Sequence, residues 1–153
     1  MSETPSQNLD RARELAREVL IIDGHVDVPY WMDEVYREDI SDETIGGDFD
    51  YPRAVRGGLD AAFMSIFIPA RFQESGGARD HAESLIDMVE GFERDHPDKF
   101  ALARTPADIR RNSSAGLVSL PRGIENGAAI EQDLRNLEHF GRRGVRYMTL
   151  VHA

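Results

Sequence analysis

Apolar residues recur at helical spacing in some stretches of the chain and cluster in short runs in others. Helical spacing is found in three stretches, residues 8–20, 80–95 and 128–140. Thr105 followed by Pro106 is typical of the capped start of a further helix. Runs typical of strands begin near Val19, Ala61, Phe100, Gly116 and Val145, and the run at Phe100 is the weakest. The pattern therefore predicts helices that alternate with strands.

Three of these predictions can be stated in more detail. The β-branched run at residues 19–22 is typical of a strand that is buried on both faces. Residues 30–56 are mostly polar and predict a long loop. The helix predicted at residues 128–140 would turn Ile130, Leu134 and Leu137 towards the core.

Alternation of strands and helices predicts an α/β fold with a parallel sheet. The length of 153 residues and the apolar fraction of 41% suit one domain, residues 1–153, whose polar residues 1–7 we expect to be flexible. Two architectures remain open. One is a flavodoxin-like open sheet, and the other is the first half of a (β/α)₈ barrel, which typically needs about 250 residues.

Charge and composition exclude several classes of function. The net charge of −10 argues against nucleic acid or an anionic membrane as the main partner. The absence of cysteine excludes disulfides and thiolate metal sites, so any metal must bind His, Asp or Glu. The polar N-terminus, and the lack of an apolar run near the roughly 20 residues of a membrane span, predict a cytoplasmic protein.

Residues able to bind a metal follow three of the predicted strands. His25 and Asp27 end the first strand, Glu125 ends the strand that begins at Gly116, and His152 ends the last strand. The carboxyl ends of parallel strands share one face, where ligand sites lie. His25 and Asp27 stand two positions apart, so in an extended chain they would face the same point. The four residues therefore predict a site for a divalent metal ion.

Each of these residues also has a purely structural interpretation. Asp27 could organise a turn before Pro29 while His25 packs beside the strand end. Glu125 could cap the following helix, and His152 could be solvated. The other histidines, which lie on predicted helices or at a helix end among charged neighbours, are not predicted to belong to a site; they are His81, His96 and His139.

Four ordered segments resemble the membrane (renal-type) dipeptidases, peptidase family M19. Residues 22–29, IDGHVDVP, are similar to the opening motif of that family, and residues 50–63 to the segment that leads into its second strand. Residues 123–127, GIENG, match the region of its metal-bridging glutamate, and residues 144–152, GVRYMTLVH, resemble a later conserved stretch. The similarity spans nearly the whole chain from Leu20 onward.

The resemblance implies a fold, a reaction and roles for individual residues. The family fold is a (β/α)₈ barrel of the metal-dependent hydrolase kind, with two zinc ions at its C-terminal mouth. Carried over position by position, His25 and Asp27 would bind one zinc ion, and Glu125 would bridge both ions. His152 would be catalytic, binding the substrate or stabilising the tetrahedral intermediate. The reaction would be hydrolysis of the amide bond of a dipeptide by a metal-activated water.

The sequence also departs from the family pattern. Val26 stands where the family often has Asn, and Asn126 follows the bridging glutamate where the family usually has Gly. The two remaining zinc-ligand histidines of the family lie beyond its counterpart of His152. We therefore expect the N-terminal half of a barrel, which alone binds at most one metal ion weakly and has little or no activity. Its partner would be the missing C-terminal half or a second copy of the chain.

Two other functions remain open at this point. The chain could belong to a related metal-dependent amidohydrolase that acts on another small amide, ester or lactone. It could instead be an inactive half-barrel that serves as an interaction module, because half a barrel leaves unpaired strand edges.

Overall fold

A computed structural model describes residues 4–152 as one curved sheet with helices packed against it. The strands are β1 (Ile22–Val26), β2 (Ala61–Phe67), β3 (Phe100–Leu102), β4 (Val118–Leu120), β5 (Arg122–Glu125) and β6 (Val145–Met148). The helices are α1 (Pro5–Glu18), α2 (Val28–Glu34), α3 (Tyr51–Gly57), α4 (Arg71–Ser75), α5 (Ala78–Asp95), α6 (Pro106–Ser114) and α7 (Arg135–Arg142), with a 3₁₀ turn at Gly127–Ile130. The predicted α/β class is confirmed.

All strand pairings in the sheet are parallel. The order β1–β2–β5–β6 forms the path that carries the site, and β4 pairs with both β2 and β3. The single strand predicted from Gly116 to Ile124 is two strands, because Pro121 separates β4 from β5 and has no N–H to donate. Its carbonyl still accepts a hydrogen bond of 2.8 Å from the N–H of Met64 in β2.

The two faces of β2 have different roles because successive side chains in a strand point to opposite faces. The even-numbered residues from Ala62 to Ile68 belong to the hydrophobic core. They are buried together with Leu85, Ile86 and Val89 of α5. The odd-numbered residues face the opposite, concave side of the sheet, where they meet the residues of the site described below.

The prediction that the first strand is buried on both faces is wrong. The strand runs from Ile22 to Val26, later than predicted, and four of its five residues are exposed. Among residues 4–152, β1 pairs only with β2, and the side chain of Ile22 is 46% exposed at this edge. An apolar run shows that a strand can be buried, but neighbouring elements decide whether it is.

The predicted long loop at residues 30–56 contains helical segments at both of its ends. Pro29 and Pro52 each stand in the first turn of a helix, α2 and α3, where the missing N–H of proline costs nothing. Asp50 caps α3 by accepting a hydrogen bond of 2.8 Å from the N–H of Arg53. Short helices with proline starts are therefore hidden within a polar sequence.

The helix predicted at residues 128–140 is also corrected. The chain forms a 3₁₀ turn, and α7 begins only at Arg135, because Glu131 and Gln132 adopt positive φ angles that interrupt a helix. Leu134 is 73% exposed and Leu137 is 45% exposed, so neither points to the core as predicted.

The first helix begins earlier than its apolar spacing predicts. Thr4 caps α1 in a reciprocal capping box with Gln7, so the helix starts at Pro5 within the terminus expected to be flexible. Residues 1–3 of that predicted flexible terminus lie outside the described residues. Within residues 4–152, no helix combines the length and the apolarity needed to cross a lipid bilayer.

Candidate metal centre

The structure brings the four residues singled out in the sequence to one end of the sheet. His25 lies in β1 and Asp27 follows that strand, whereas Glu125 is the last residue of β5 and His152 follows β6. In a parallel sheet these positions share the carboxyl edge, as the sequence pattern predicts.

Three donor atoms converge at this edge. Nε2 of His25 lies 3.3 Å from Oδ1 of Asp27 and 3.1 Å from Oε2 of Glu125. One ligand atom from each of the three residues lies within 4.8 Å of the other two. One imidazole nitrogen and two carboxylate oxygens are a donor set that suits zinc and other divalent ions.

Oδ1 of Asp27 provides the test of whether these residues fit a metal ion. This oxygen is buried, and no residue in the described part of the chain donates a hydrogen bond to it. A buried carboxylate oxygen without a donor is costly, and a cation can satisfy it. The residues present therefore fit a divalent metal ion.

Glu125 presents its two carboxylate oxygens to two different histidines. Oε2 faces His25, whereas Oε1 lies 3.1 Å from Nε2 of His152. The hydroxyl of Ser65, on the concave side of β2, donates a hydrogen bond of 3.1 Å to Oε2. The rings of Phe67 and His152 pack in a T-shaped arrangement at a centroid distance of 5.0 Å. Contacts from β2 and from the residue that follows β6, the two strands that pair with β5, hold the carboxylate of Glu125, whose side chain is only 16% exposed.

The structure does not support the purely structural interpretations of Asp27 and Glu125. Asp27 occupies the N-cap position of α2, but its side chain makes no capping hydrogen bond. The residue that caps the turn after Glu125 is Asn126, which accepts a hydrogen bond of 3.1 Å from the N–H of Ala128. Both carboxylates are therefore free of the capping roles that could have explained them.

Tyr147 and Ser65 contact the site and were not singled out from the sequence. Oη of Tyr147 lies 2.9 Å from Nδ1 of His25. Burial, followed by the charges of Glu125 and Asp27, raises the pKa of Tyr147, which therefore stays a neutral phenol. Ser65 could have been noticed as the polar residue inside the apolar run of β2. Tyr147 gives no such signal, because tyrosine is common in strands.

The three remaining histidines are not part of the cluster of His25, Asp27 and Glu125 in the described part of the chain. His81 stacks on Phe72 at a centroid distance of 4.5 Å, and burial lowers its pKa. His96 pairs with Asp39 at 3.3 Å, and His139 pairs with Glu83. Ion pairs account for His96 and His139, whereas Nε2 of His81 is buried without a hydrogen-bond partner among the described residues.

Comparison with known proteins gives relatives along almost the whole chain. Dipeptidase ataJ of Aspergillus terreus is 30% identical over 158 residues, which cover 95% of this chain and 38% of that protein. Dipeptidase 3 of Mus musculus is 28% identical over 146 residues, which cover 93% of this chain and 29% of that protein. The chain thus spans less than half the length of these relatives.

Solved structures show the same fold. The probable dipeptidase PvdM from Pseudomonas aeruginosa has a TM-score of 0.84 and 26% identity, covering 98% of this chain and 39% of that one. A dipeptidase described as a metallopeptidase of family M19 has a TM-score of 0.73 and 25% identity, covering 87% of this chain and 43% of that one. The fold is therefore the N-terminal portion of a (β/α)₈ barrel, and the flavodoxin-like alternative is wrong.

The comparisons also contradict the predicted cytoplasmic location. The family that matches is described as membrane dipeptidase, and Dipeptidase 3 of mouse and of rat are among the relatives. The prediction was based on the polar N-terminus and the lack of a long apolar run, and neither feature of this stretch determines the location of the protein.

The profile of the membrane dipeptidase family matches residues 9–153. This match covers every described element from within α1 to the end of β6, including the four residues of the candidate site. The chain belongs to the membrane dipeptidase family, peptidase family M19.

Proposed function

We propose that the chain provides the first part of the zinc site of a dipeptidase, which hydrolyses the amide bond of dipeptides. One observation carries the proposal: His25, Asp27 and Glu125 converge around a buried oxygen of Asp27 that no described residue satisfies. The dipeptidase names of the relatives support the substrate class. Because the chain spans less than half of those proteins, the activity of the whole protein is part of the proposal.

Each residue near the centre has a proposed role. His25 and Asp27 would hold one zinc ion, and Glu125 would be shared between that ion and a second one. When bound, the metal supplies Lewis acidity, which polarises the scissile carbonyl and acidifies a water molecule. Ser65 keeps the carboxylate of Glu125 oriented through its hydrogen bond of 3.1 Å.

His152 is proposed to act on the substrate itself. Its side chain is 42% exposed, so a ligand can reach it, and Nε2 lies 3.1 Å from Glu125. An imidazole N–H at this position can donate a hydrogen bond to the carbonyl oxygen as negative charge develops on it. This role stabilises the tetrahedral intermediate and leaves the metal to the three other residues.

The number of metal-ligand atoms limits how many zinc ions this chain can bind alone. Three protein ligands for one zinc ion would leave its fourth coordination position open. A second ion would have only the remaining carboxylate oxygen of Glu125 as a ligand from this chain. We therefore expect the 153-residue chain to bind at most one zinc ion, weakly, with little or no peptidase activity.

Zinc quantification after equilibrium dialysis against a zinc-containing buffer tests the proposal, with the wild-type chain compared with a His25→Ala, Asp27→Ala double variant. A His96→Ala, Asp39→Ala double variant is the matched control, because it removes a histidine–aspartate pair with the same 3.3 Å spacing elsewhere. We expect zinc binding to be lost in the first variant and kept in the second. Unchanged binding in the first variant, or two tightly bound ions in the wild type, would overturn the proposal.

A further inference from the structure

An open cavity of about 580 Å³ lies beside the candidate metal centre, at the carboxyl edge of the sheet. Three segments line it: the residues after β2 that include α4, the turn after β5, and the residues after β6. His152 belongs to this lining, and its Nε2 lies 3.1 Å from Oε1 of Glu125. The cavity therefore adjoins the metal centre through His152, and its volume is typical of small-molecule sites.

Unusual backbone conformations are concentrated around this cavity. The non-glycine residues with positive φ angles among residues 4–152 are Asn126, Glu131 and Gln132, at 83°, 49° and 64°, and all three line the cavity. Gly76 and Gly77 on its opposite wall also have positive φ angles. Such conformations are unfavourable for residues with side chains, and they cluster where proteins hold ligands. The backbone therefore points to a binding role for this cavity.

The turn after β5 is fastened to the segments on both sides of it. The side-chain amide of Asn126 donates a hydrogen bond of 2.8 Å to the carbonyl oxygen of Ile68, which follows β2. The backbone N–H of Asn126 donates a hydrogen bond of 2.8 Å to the hydroxyl of Thr149, which follows β6. The wall of the cavity is thus formed before a ligand arrives, which reduces the entropy that binding costs.

The lining of the cavity combines apolar surface with a single carboxylate. Phe72, Leu150 and Val151 provide apolar surface, and Glu131 is the only acidic residue among the described residues that line the cavity, which include no lysine or arginine. Oε1 of Glu131 accepts a hydrogen bond of 3.0 Å from the backbone N–H of Arg79, and the carboxylate accepts no other from residues 4–152. A ligand group with an apolar stem and a positively charged end matches this lining.

We propose that the cavity binds a lysine or arginine side chain of the dipeptide, with its stem against Phe72 and Leu150 and its charge beside Glu131. The inference rests on the proposed function, because it takes the ligand at His152 to be a dipeptide. A peptide whose scissile carbonyl lies at His152 can extend an adjacent side chain into the cavity, since His152 borders both. Glu131 is then a specificity-determining residue that takes no part in the chemical step.

Binding to the cavity can be measured without zinc by titrating the ¹⁵N-labelled chain and following the amide signals of Gly76, Gly77 and Gly127. N-acetyl-lysine amide carries the charged side chain, N-acetyl-norleucine amide has the stem without the ammonium group, and N-acetyl-glutamate amide has the opposite charge. At low salt we expect the lysine probe to bind about fivefold more tightly than the norleucine probe, the upper range for one exposed ion pair. The glutamate probe should bind most weakly. Equal affinities, or shifts only at other residues, would overturn the proposal.

A charge-removing variant tests the carboxylate itself. Glu131→Gln keeps the size of the side chain and an oxygen that can accept from Arg79. We expect the lysine probe to lose its advantage over the norleucine probe in this variant. Glu74→Gln is the matched control, because it removes the same charge from an exposed position in α4 that does not line the cavity. A preference that persists in Glu131→Gln, or that Glu74→Gln abolishes equally, would overturn the role of Glu131. The comparison of three probes on the wild type needs no variant to fold.

Dipeptides added with zinc connect the cavity to the metal centre. We expect lysyl-alanine or alanyl-lysine to shift the signals of the cavity glycines and of His152 together, and to bind about fivefold more tightly than alanyl-alanine. Zinc binding without any preference for lysine would overturn this inference and leave the proposed function standing. A wild type whose cavity prefers the lysine probe but which binds no zinc would overturn the proposed function and leave the charge preference of the cavity standing.

Discussion

Glu125 places Oε2 3.1 Å from Nε2 of His25, so that a carboxylate at the end of one strand meets an imidazole on another. Replacing this carboxylate by an amide keeps its size and removes its charge. We expect Glu125→Gln to weaken zinc binding at least about tenfold, because an anionic ligand is lost next to the cation. Calorimetric titration measures the effect, and Glu14→Gln on the exposed surface of α1 should bind zinc like the wild type. Equal affinities for Glu125→Gln and the wild type would exclude Glu125 as a ligand.

Arg122 of β5 and Glu90 of α5 form an ion pair whose two side chains differ in burial. Arg122 is fully buried, and its Nη1 lies 2.7 Å from Glu90, whose side chain is 34% exposed. Nε and Nη2 of Arg122 have no hydrogen-bond partner among residues 4–152. We expect Glu90→Gln to destabilise the fold by about 2–3 kcal/mol, somewhat below the cost of breaking a fully buried pair, because Glu90 is partly exposed.

The complementary variant should behave differently. Arg122→Met removes the buried charge and leaves Glu90 paired with Arg143 at 3.2 Å. We expect it to be within about 1 kcal/mol of the wild type, or more stable, because replacing a buried charge by an apolar side chain of similar volume is often neutral. Urea unfolding measures both variants, and a larger loss for Arg122→Met than for Glu90→Gln would contradict this account.

Asp50 stabilises the segment before α3 in its charged form. It is completely buried and accepts hydrogen bonds from the backbone N–H groups of Thr44, at 3.0 Å, and of Arg53, at 2.8 Å. Burial opposes ionisation, but these hydrogen bonds and the charge of Arg53 together lower the pKa of Asp50. Because the folded pKa lies below the unfolded value of about 3.9, this stabilisation is complete above that value and is lost as pH falls through the folded pKa.

Substitution of Asp50 should therefore have a pH-dependent effect. We expect Asp50→Asn to reduce the free energy of unfolding by about 1.5–3 kcal/mol at pH 7, the usual contribution of hydrogen bonds to a charged group. The difference should shrink below about pH 4, where the wild-type carboxyl becomes protonated. Thermal unfolding at several pH values checks this, with Asp48→Asn, an exposed neighbour, as the control. A difference that stays constant between pH 7 and pH 3 would contradict the role of the charge.

The outer edges of β1 and β6 pair with no other strand among residues 4–152. Unpaired strand edges are templates for association, and Ile22 exposes 46% of its surface on β1. We expect the chain to self-associate with increasing concentration in sedimentation velocity experiments. Ile22→Lys should reduce this association, whereas Val35→Lys, at an exposed position outside the strands, should not. A monomer at all concentrations would contradict the expectation.

The sequence predicts best what depends on local pattern. The apolar spacing predicts α5, and Thr105 predicts the start of α6, where it forms a capping box with Asp108. His25, Asp27 and Glu125 could be grouped from sequence because the carboxyl ends of parallel strands must share an edge. That argument requires only the strand assignments and no knowledge of side-chain packing.

Features that depend on three-dimensional packing could not be predicted in this way. The contact of Tyr147 with His25 requires a curved sheet and the space above Gly123. The exposure of β1 depends on which elements lie beside it, and its own apolar residues do not reveal this. The break before α7 arises at Glu131 and Gln132, whose positive φ angles are unusual for these residue types.

The position of a bound metal ion is the most direct test of the proposed centre. Anomalous diffraction at the zinc absorption edge, from crystals of the chain grown with zinc, locates the ion independently of activity. The account predicts an anomalous peak between Nε2 of His25, Oδ1 of Asp27 and Oε2 of Glu125. A peak only at another site, or none at these residues when zinc is in excess, would contradict it.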